Sequence, residues 1–166
     1  MPLVTGFDTH DLVAQICRQQ RGYSWQLLNR RIALKELAVS GSEFNPAFRD
    51  KKMLAVARDM LRGNRWLYAQ LTQNCPDFVV ADSLPELVGK MNTLVGDGSV
   101  RLVAVTEAAV RYDDRIAAGP RFHNDDQLRR IEFARRWTGD RLRTCKFQAI
   151  LDPKAGPLVA IREFIV

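Results

Sequence analysis

Asp77-Phe78-Val79-Val80-Ala81-Asp82-Ser83-Leu84-Pro85-Glu86-Leu87-Val88 is the stretch that decides how this chain folds. Its opening residues read as a short strand running into Ala81-Asp82, and then the pattern changes. Ser83 and Glu86 have the spacing of a capping box, in which hydroxyl and carboxylate satisfy backbone donors that a helix start leaves unpaired. Leu84, Leu87, Val88, Met91, Leu94 and Val95 follow at helical period and form one regular apolar face. The sequence therefore predicts a strand leading directly into an amphipathic helix over 83–95.

Working outward, Leu102, Val105, Ala109, Tyr112 and Ile116 define a second helix over 100–117, closed by Gly119-Pro120. A third is expected over 127–137. Segments 146–150 and 158–166 are candidate strands, the latter rich in β-branched residues, separated by Asp152-Pro153-Lys154-Ala155-Gly156. Upstream, four helices are expected. Asp8-Thr9-His10-Asp11 caps the first, with Leu12, Val13, Ile16 and Cys17 on one side and Gly22 as its break. The second starts at Ser24 and carries Leu27, Leu28, Ile32, Leu34 and Leu37. Ser40-Gly41-Ser42 and Asn45-Pro46 mark a loop. Met53, Val56, Ala57, Met60 and Leu61 form the third stripe, ended by Gly63, and Asn64 caps the fourth helix with Trp66, Leu67 and Leu71. The expected organisation is a helical lobe over 1–76, a core over 77–157 and a closing strand over 158–166. The fold class is α+β, mainly helical with a small sheet.

Several of these pieces occur in a familiar order. Ala81-Asp82-Ser83-Leu84-Pro85-Glu86-Leu87 is followed by Val110-Arg111-Tyr112-Asp113, Gly119, Phe122 and finally Gly156-Pro157-Leu158-Val159-Ala160-Ile161. The series resembles the substrate, or capping, domain of the flavoprotein superfamily of fumarate reductase, succinate dehydrogenase and 3-ketosteroid dehydrogenase. There an Ala-Asp-Thr-Leu-Glu-Glu-Leu helix precedes a Val-x-x-Tyr-Asn helix, a Gly-x-Asp-x-x-Phe-Gly-Arg loop and a Pro-Pro-Phe-Tyr-Ala-Ile strand. It is most similar to the branch of FAD-binding dehydrogenases, in which stretches like Ser40–Pro46, Asn124–Ile131 and Arg143–Gln148 recur. The resemblance implies a capping domain that closes over a flavin while hydride passes between substrate and FAD.

The flavin site itself is not in this sequence. A dinucleotide fold needs a Gly-x-Gly-x-x-Gly turn between strand and helix, because only glycine lets the backbone approach the pyrophosphate. None of the ten glycines forms one. The close pair Gly96-Asp97-Gly98 follows a helical pattern and reads as a helix-ending turn. The Gly-Gly pair that the superfamily carries beyond its closing strand would fall after Val166. The expectation is thus a piece of a flavoenzyme, truncated, split or excised, that lacks the Rossmann-type FAD-binding domain and neither binds FAD nor turns over substrate alone. Its partners would be that missing FAD-binding domain and a small-molecule substrate. A strand ending the chain would also leave an open edge for self-association.

Composition excludes other classes. The 166 residues are 46% hydrophobic and 27% charged, ordinary for one globular domain. No apolar run approaches the ~20 residues of a membrane span, and the N-terminus lacks a signal-peptide pattern, so a cytoplasmic location is expected. Cys17, Cys75 and Cys145 are scattered, with only His10 and His123 beside them; this is no metal-ligand spacing, and buried free thiols are expected. The net charge of +6 and pI near 9.6 raise an alternative, a basic helical module for protein or nucleic-acid interaction. Acids interleave with the arginines, however, as in Asp125-Asp126 beside Arg129-Arg130, which is the pattern of a salt-bridged surface. The flavoenzyme reading predicts apolar surface beside the closing strand; the alternative predicts a contiguous basic face.

Chemistry-bearing candidates are few. In the loop Gly119-Pro120-Arg121-Phe122-His123-Asn124, Phe122 aligns with the superfamily motif but His123-Asn124 stands where Gly-Arg should follow. The acid arginine of fumarate chemistry is therefore not carried over. Leu158-Val159 likewise replaces the Phe-Tyr of the closing strand. His123 is the titratable candidate, since a histidine changes charge near neutrality, with a backbone-bonded loop histidine as the alternative. Arg143 and Lys146 could bind an anionic substrate or steady the flavin, or could serve as strand-edge charge. No residue is assigned to cofactor or metal. Tyr112 falls on an apolar helix face and is expected in the core.

Overall fold

The computed structural model describes residues 9–39, 45–119, 128, 129, 132, 133, 136 and 147–164. Along the chain these form α1 (Thr9–Cys17), β1 (Tyr23–Asn29), α2 (Arg30–Glu36), a 3-10 turn (Leu37–Val39), α3 (Pro46–Arg49), α4 (Met53–Arg62) and α5 (Arg65–Asn74). After them come β2 (Phe78–Ala81), α6 (Leu84–Val95), α7 (Leu102–Ala118), a 3-10 turn (Pro153–Ala155) and β3 (Leu158–Phe164). The fold is α+β, helices around a three-stranded antiparallel sheet in the order β1-β3-β2.

The deciding stretch behaves as its sequence dictates. Ser83 is the N-cap of α6, accepting the Glu86 N–H at 3.4 Å, while the Glu86 carboxylate accepts the Asp82 N–H at 3.2 Å. The Lys90 ammonium, one turn on, holds the Glu86 carboxyl below its ordinary range, helped by that Asp82 N–H. Gly96 then ends the helix in the left-handed region at φ 75°, so the Gly96-Asp97-Gly98 pair is the helix stop that its position suggested. Leu87, Val88 and Met91 are buried and Tyr112 packs against the same cluster.

Sheet alternation sorts the core into two layers. Val79, Ala81, Leu158 and Ala160 face α6, joining Leu87, Val88, Met91 and Ile150. Phe78 and Val159 face the other way, toward Ala33 of α2 and Tyr68 and Leu71 of α5. This is the period-2 consequence of strand geometry, and it buries the middle of the sheet on both faces.

Four expectations need correction. The segment from Ser24 is a strand: Leu27 and Leu28 pair with Ala160 and Val159 of β3, and the helix begins only at Arg30. Ladder bonds to a distant strand outweigh a helical spacing that a short apolar run fits equally well. Residues 147–150 are irregular rather than a strand, because side chains take up their backbone groups. The closing strand is the central one rather than an edge strand: β1 pairs with it along Leu158–Phe164 and β2 along Leu158–Ile161, so over that stretch both its edges are bonded. Cys17 is exposed and Cys75 only partly buried; Cys145 lies outside the described residues.

The surface also departs from expectation. On α4 only Val56 is buried, while Met53, Leu54 and Leu61 face outward. Exposed apolar side chains gather on α4 and α7, and among the described residues of the closing strand Phe164 alone joins them. Several arginines pair singly with acids, Arg31 with Asp152, Arg58 with Asp59, Arg136 with Glu132 and Arg162 with Asp77.

Candidate functional site

His123, Arg143 and Lys146 lie outside the described residues. What the structure fixes is the frame around the segment that carries them. Segment 120–146 departs where α7 stops at Gly119, whose φ of 81° suits glycine and turns the chain away from the helix axis. It re-enters at 147–151, and there two side chains grip it.

The first is Asp113 on α7. Its Oδ1 accepts the Ile150 N–H at 2.7 Å and its Oδ2 the Leu151 N–H at 2.9 Å. The second is Asn29, fully buried at the end of β1. Its amide donates to the Ala149 carbonyl at 2.9 Å and the Ile150 carbonyl at 3.1 Å, while its Oδ1 accepts the Ile32 N–H at 3.0 Å and caps α2. An irregular buried backbone needs partners for its polar groups, and these two residues supply four bonds to it. Asp113 precedes Gly119 by six positions, about 9 Å along a helix. Both ends of segment 120–146 are therefore held at the C-terminal end of α7.

Two ion pairs stiffen the surroundings. Arg31 bonds Asp152 at 2.9 Å and the Lys154 carbonyl at 2.8 Å, tying α2 to the turn before β3. The Lys154 N–H, with the Arg31 guanidinium, keeps the Asp152 carboxyl below its ordinary range. At the entrance of β2, Asp77 receives the Arg162 guanidinium at 2.6 Å, and its carbonyl accepts the Arg162 N–H at 2.9 Å. Within segment 120–146, Leu128, Arg129, Glu132 and Phe133 are helical, in keeping with the helix expected there, and Leu128 is completely buried.

The frame fixes where segment 120–146, in whose sequence His123, Arg143 and Lys146 stand, leaves and rejoins the described structure. It is not suited to hold a dinucleotide. Gly96 and Gly98 sit in the turn after α6, not between strand and helix, and no other glycine pair is near enough in sequence. Among the described residues there is no group of three or more His, Cys, Asp or Glu that could hold a metal, and no helix is long and apolar enough to cross a membrane. Sequence reasoning did not single out Asn29 or Asp113. The signal for Asn29 was its N-cap spacing to Ile32; for Asp113 it was the position after Tyr112 in the Val-x-x-Tyr-Asn pattern.

The chain is 34% identical over 167 aligned positions to a KsdD-like steroid dehydrogenase of Mycolicibacterium smegmatis. It is 33% identical over 168 positions to KsdD-like steroid dehydrogenases of two strains of Mycobacterium tuberculosis. Each alignment takes in 100% of this chain but only 29–30% of the relative, so the chain spans less than a third of the length of these proteins. No family model matches the chain, and no solved structure does.

Proposed function

The chain is homologous to one segment of the KsdD-like steroid dehydrogenases, and from that premise we propose that it is the substrate-covering cap of an FAD-dependent dehydrogenase. The substrate class is a steroid-like small molecule, and the setting a cytoplasmic enzyme. The observation that carries this reading is the alignment itself, which runs through the entire chain yet occupies under a third of each relative. A segment of that kind contributes a part of an active site rather than all of it.

When bound in the whole enzyme, FAD would accept or give the hydride. This chain's own residues do not fit its pyrophosphate, since none of its glycines forms a Gly-x-Gly-x-x-Gly turn. Their part is to cover: the loop bearing His123, Arg143 and Lys146, moored at Gly119 and at 147–151, lies over the substrate and shuts out water. Exclusion of water strengthens every charge–dipole contact inside the closed site. Arg143 and Lys146 supply cations for an electronegative group on the substrate, and His123 a group able to exchange a proton near neutral pH. The remaining domain, carrying the FAD, is the cap's partner in the same chain or on another.

The test is spectroscopic. Purified chain mixed with FAD and passed through gel filtration should emerge colourless. Joined to the remaining sequence of the M. smegmatis relative, it should give a yellow protein. A flavin band that stays with the chain alone would refute the cap reading.

A further inference from the structure

Between them, α2 and α5 hold a cleft of about 300 Å³ lined by Arg30, Leu34, Arg65, Tyr68, Ala69, Thr72 and Gln73. Its construction is specific. Gly63, at φ 86°, brings the α4–α5 junction so close to α2 that a Cβ there would lie 2.6 Å from Leu34 Cβ. The next residue, buried Asn64, donates its N–H to the Leu34 carbonyl at 2.9 Å and accepts the Leu67 N–H at 2.9 Å, starting α5 against α2. Arg65, Tyr68, Ala69, Thr72 and Gln73 then fall on one face of α5 by helical period, opposite Arg30 and Leu34.

The charge in this cleft is uncompensated. Where Arg31, Arg58, Arg136 and Arg162 each meet a carboxylate, Arg30 and Arg65 meet none among the described residues, and no acid lines the cleft. Arg65 is also the first residue of α5, where the helix dipole disfavours a cation, and no acid stands in that first turn. The Arg30 guanidinium lies 5.8 Å from the Tyr68 ring centre, and the ring is fixed edge-on by Phe78 at 5.6 Å. Gly156 leaves room for the Arg30 stem, since a Cβ there would come within 3.3 Å of it. Two arginines and the Gln73 amide thus line the cleft beside an aromatic and an aliphatic wall, while the Thr72 hydroxyl donates to the Tyr68 carbonyl at 2.8 Å.

We propose that this cleft binds a small oxyanion, a phosphate or carboxylate carried on a compact apolar or aromatic group. Guanidinium forks match both oxyanions bidentately, and the Tyr68–Leu34 wall takes the attached group. The site is separate from the cap function and does not depend on it.

Its test is a titration of the full chain, followed by amide NMR, with sodium phosphate, phenyl phosphate and benzoate, against sodium chloride at equal ionic strength. Saturable shifts at Arg65, Tyr68, Thr72 and Gln73 are expected with at least one oxyanion, tighter for phenyl phosphate than for phosphate, and absent with chloride. Preference for phosphates or for benzoate identifies which oxyanion the site takes. Arg65→Gln, at an exposed position, should weaken binding roughly tenfold or more, the cost of a charge-assisted bond. Arg30→Lys keeps the charge but loses the fork and should weaken it too. Identical shifts with chloride, shifts scattered over other surfaces, or undiminished binding by Arg65→Gln would overturn the proposal.

Discussion

Asp113 illustrates why single residues had to be seen in place. A carboxylate has two oxygens, and each receives one backbone N–H of the returning segment. Asparagine, which the resembled motif carries there, offers one acceptor oxygen and an amide that would face an N–H. Asp113→Asn should therefore destabilise the chain by about 1–3 kcal/mol, the cost of leaving one donor unmet, and Asp113→Ala by more. Urea unfolding measures both, and an Asp113→Asn variant as stable as the parent would remove the clamp from the account. Glu163 gives a pH dependence of defined sign. Half-buried opposite Ser24, it has its carboxyl raised above the ordinary range by desolvation. The folded state thus holds this proton longer than the unfolded state does. Its contribution is fully present below the unfolded pKa, near 4.5, and is lost as pH rises through the folded value. Glu163→Gln should flatten stability across that interval and raise it relative to the parent above it, as thermal melts from acid to neutral pH would report. No such dependence follows from sequence, because burial sets it.

At the scale of elements, legibility followed locality. The α6 start was readable because cap, box and apolar face are all encoded within a few residues of Ser83. The same held for α5, whose Asn64 cap was expected and is made. β1 was not readable: its partner is the far end of the chain, and Leu27 and Leu28 fit a helical spacing as well as a strand. The stripe on α4 misled in another way, since helical period tells which residues share a face but not whether that face is covered. Two leucines separate these cases. Leu87 on α6 is 0% exposed and Leu61, from the α4 stripe, is 77% exposed. Leu87→Ala should cost about 2–5 kcal/mol, whereas Leu61→Ala should stay within about 0.5 kcal/mol. Ser83→Ala should cost about 1 kcal/mol through the lost cap. Denaturant midpoints of the three variants check this ordering; a Leu61→Ala loss as large as that of Leu87→Ala would mean that this face of α4 is covered.

For the whole molecule, the sheet is what joins the parts. β1 comes from before residue 77 and β3 from after 157, and their ladder ties the helices of the first half to the core of the second. Sequence patterning conveyed an α+β fold with a small sheet, yet it placed the closing strand at an open edge; the structure places it in the middle, bonded to both neighbours over Leu158–Ile161. The site was less legible than the fold. The motifs pointed to a flavoprotein cap, while the residues that moor the loop, Asn29 and Asp113, had no recognisable chemistry of their own in the sequence. The central claim is that this chain covers the substrate of a steroid-type dehydrogenase. It is tested most directly by replacing the matching segment of the M. smegmatis relative with this chain and measuring kcat/KM over a panel of steroids, with flavin content as control. The cap account predicts unchanged flavin content and an altered order of steroid preference, reversed toward the parent's when the residues at 123, 143 and 146 are exchanged for the parent's own. A chimera with full flavin content and the parent's preference order would contradict it.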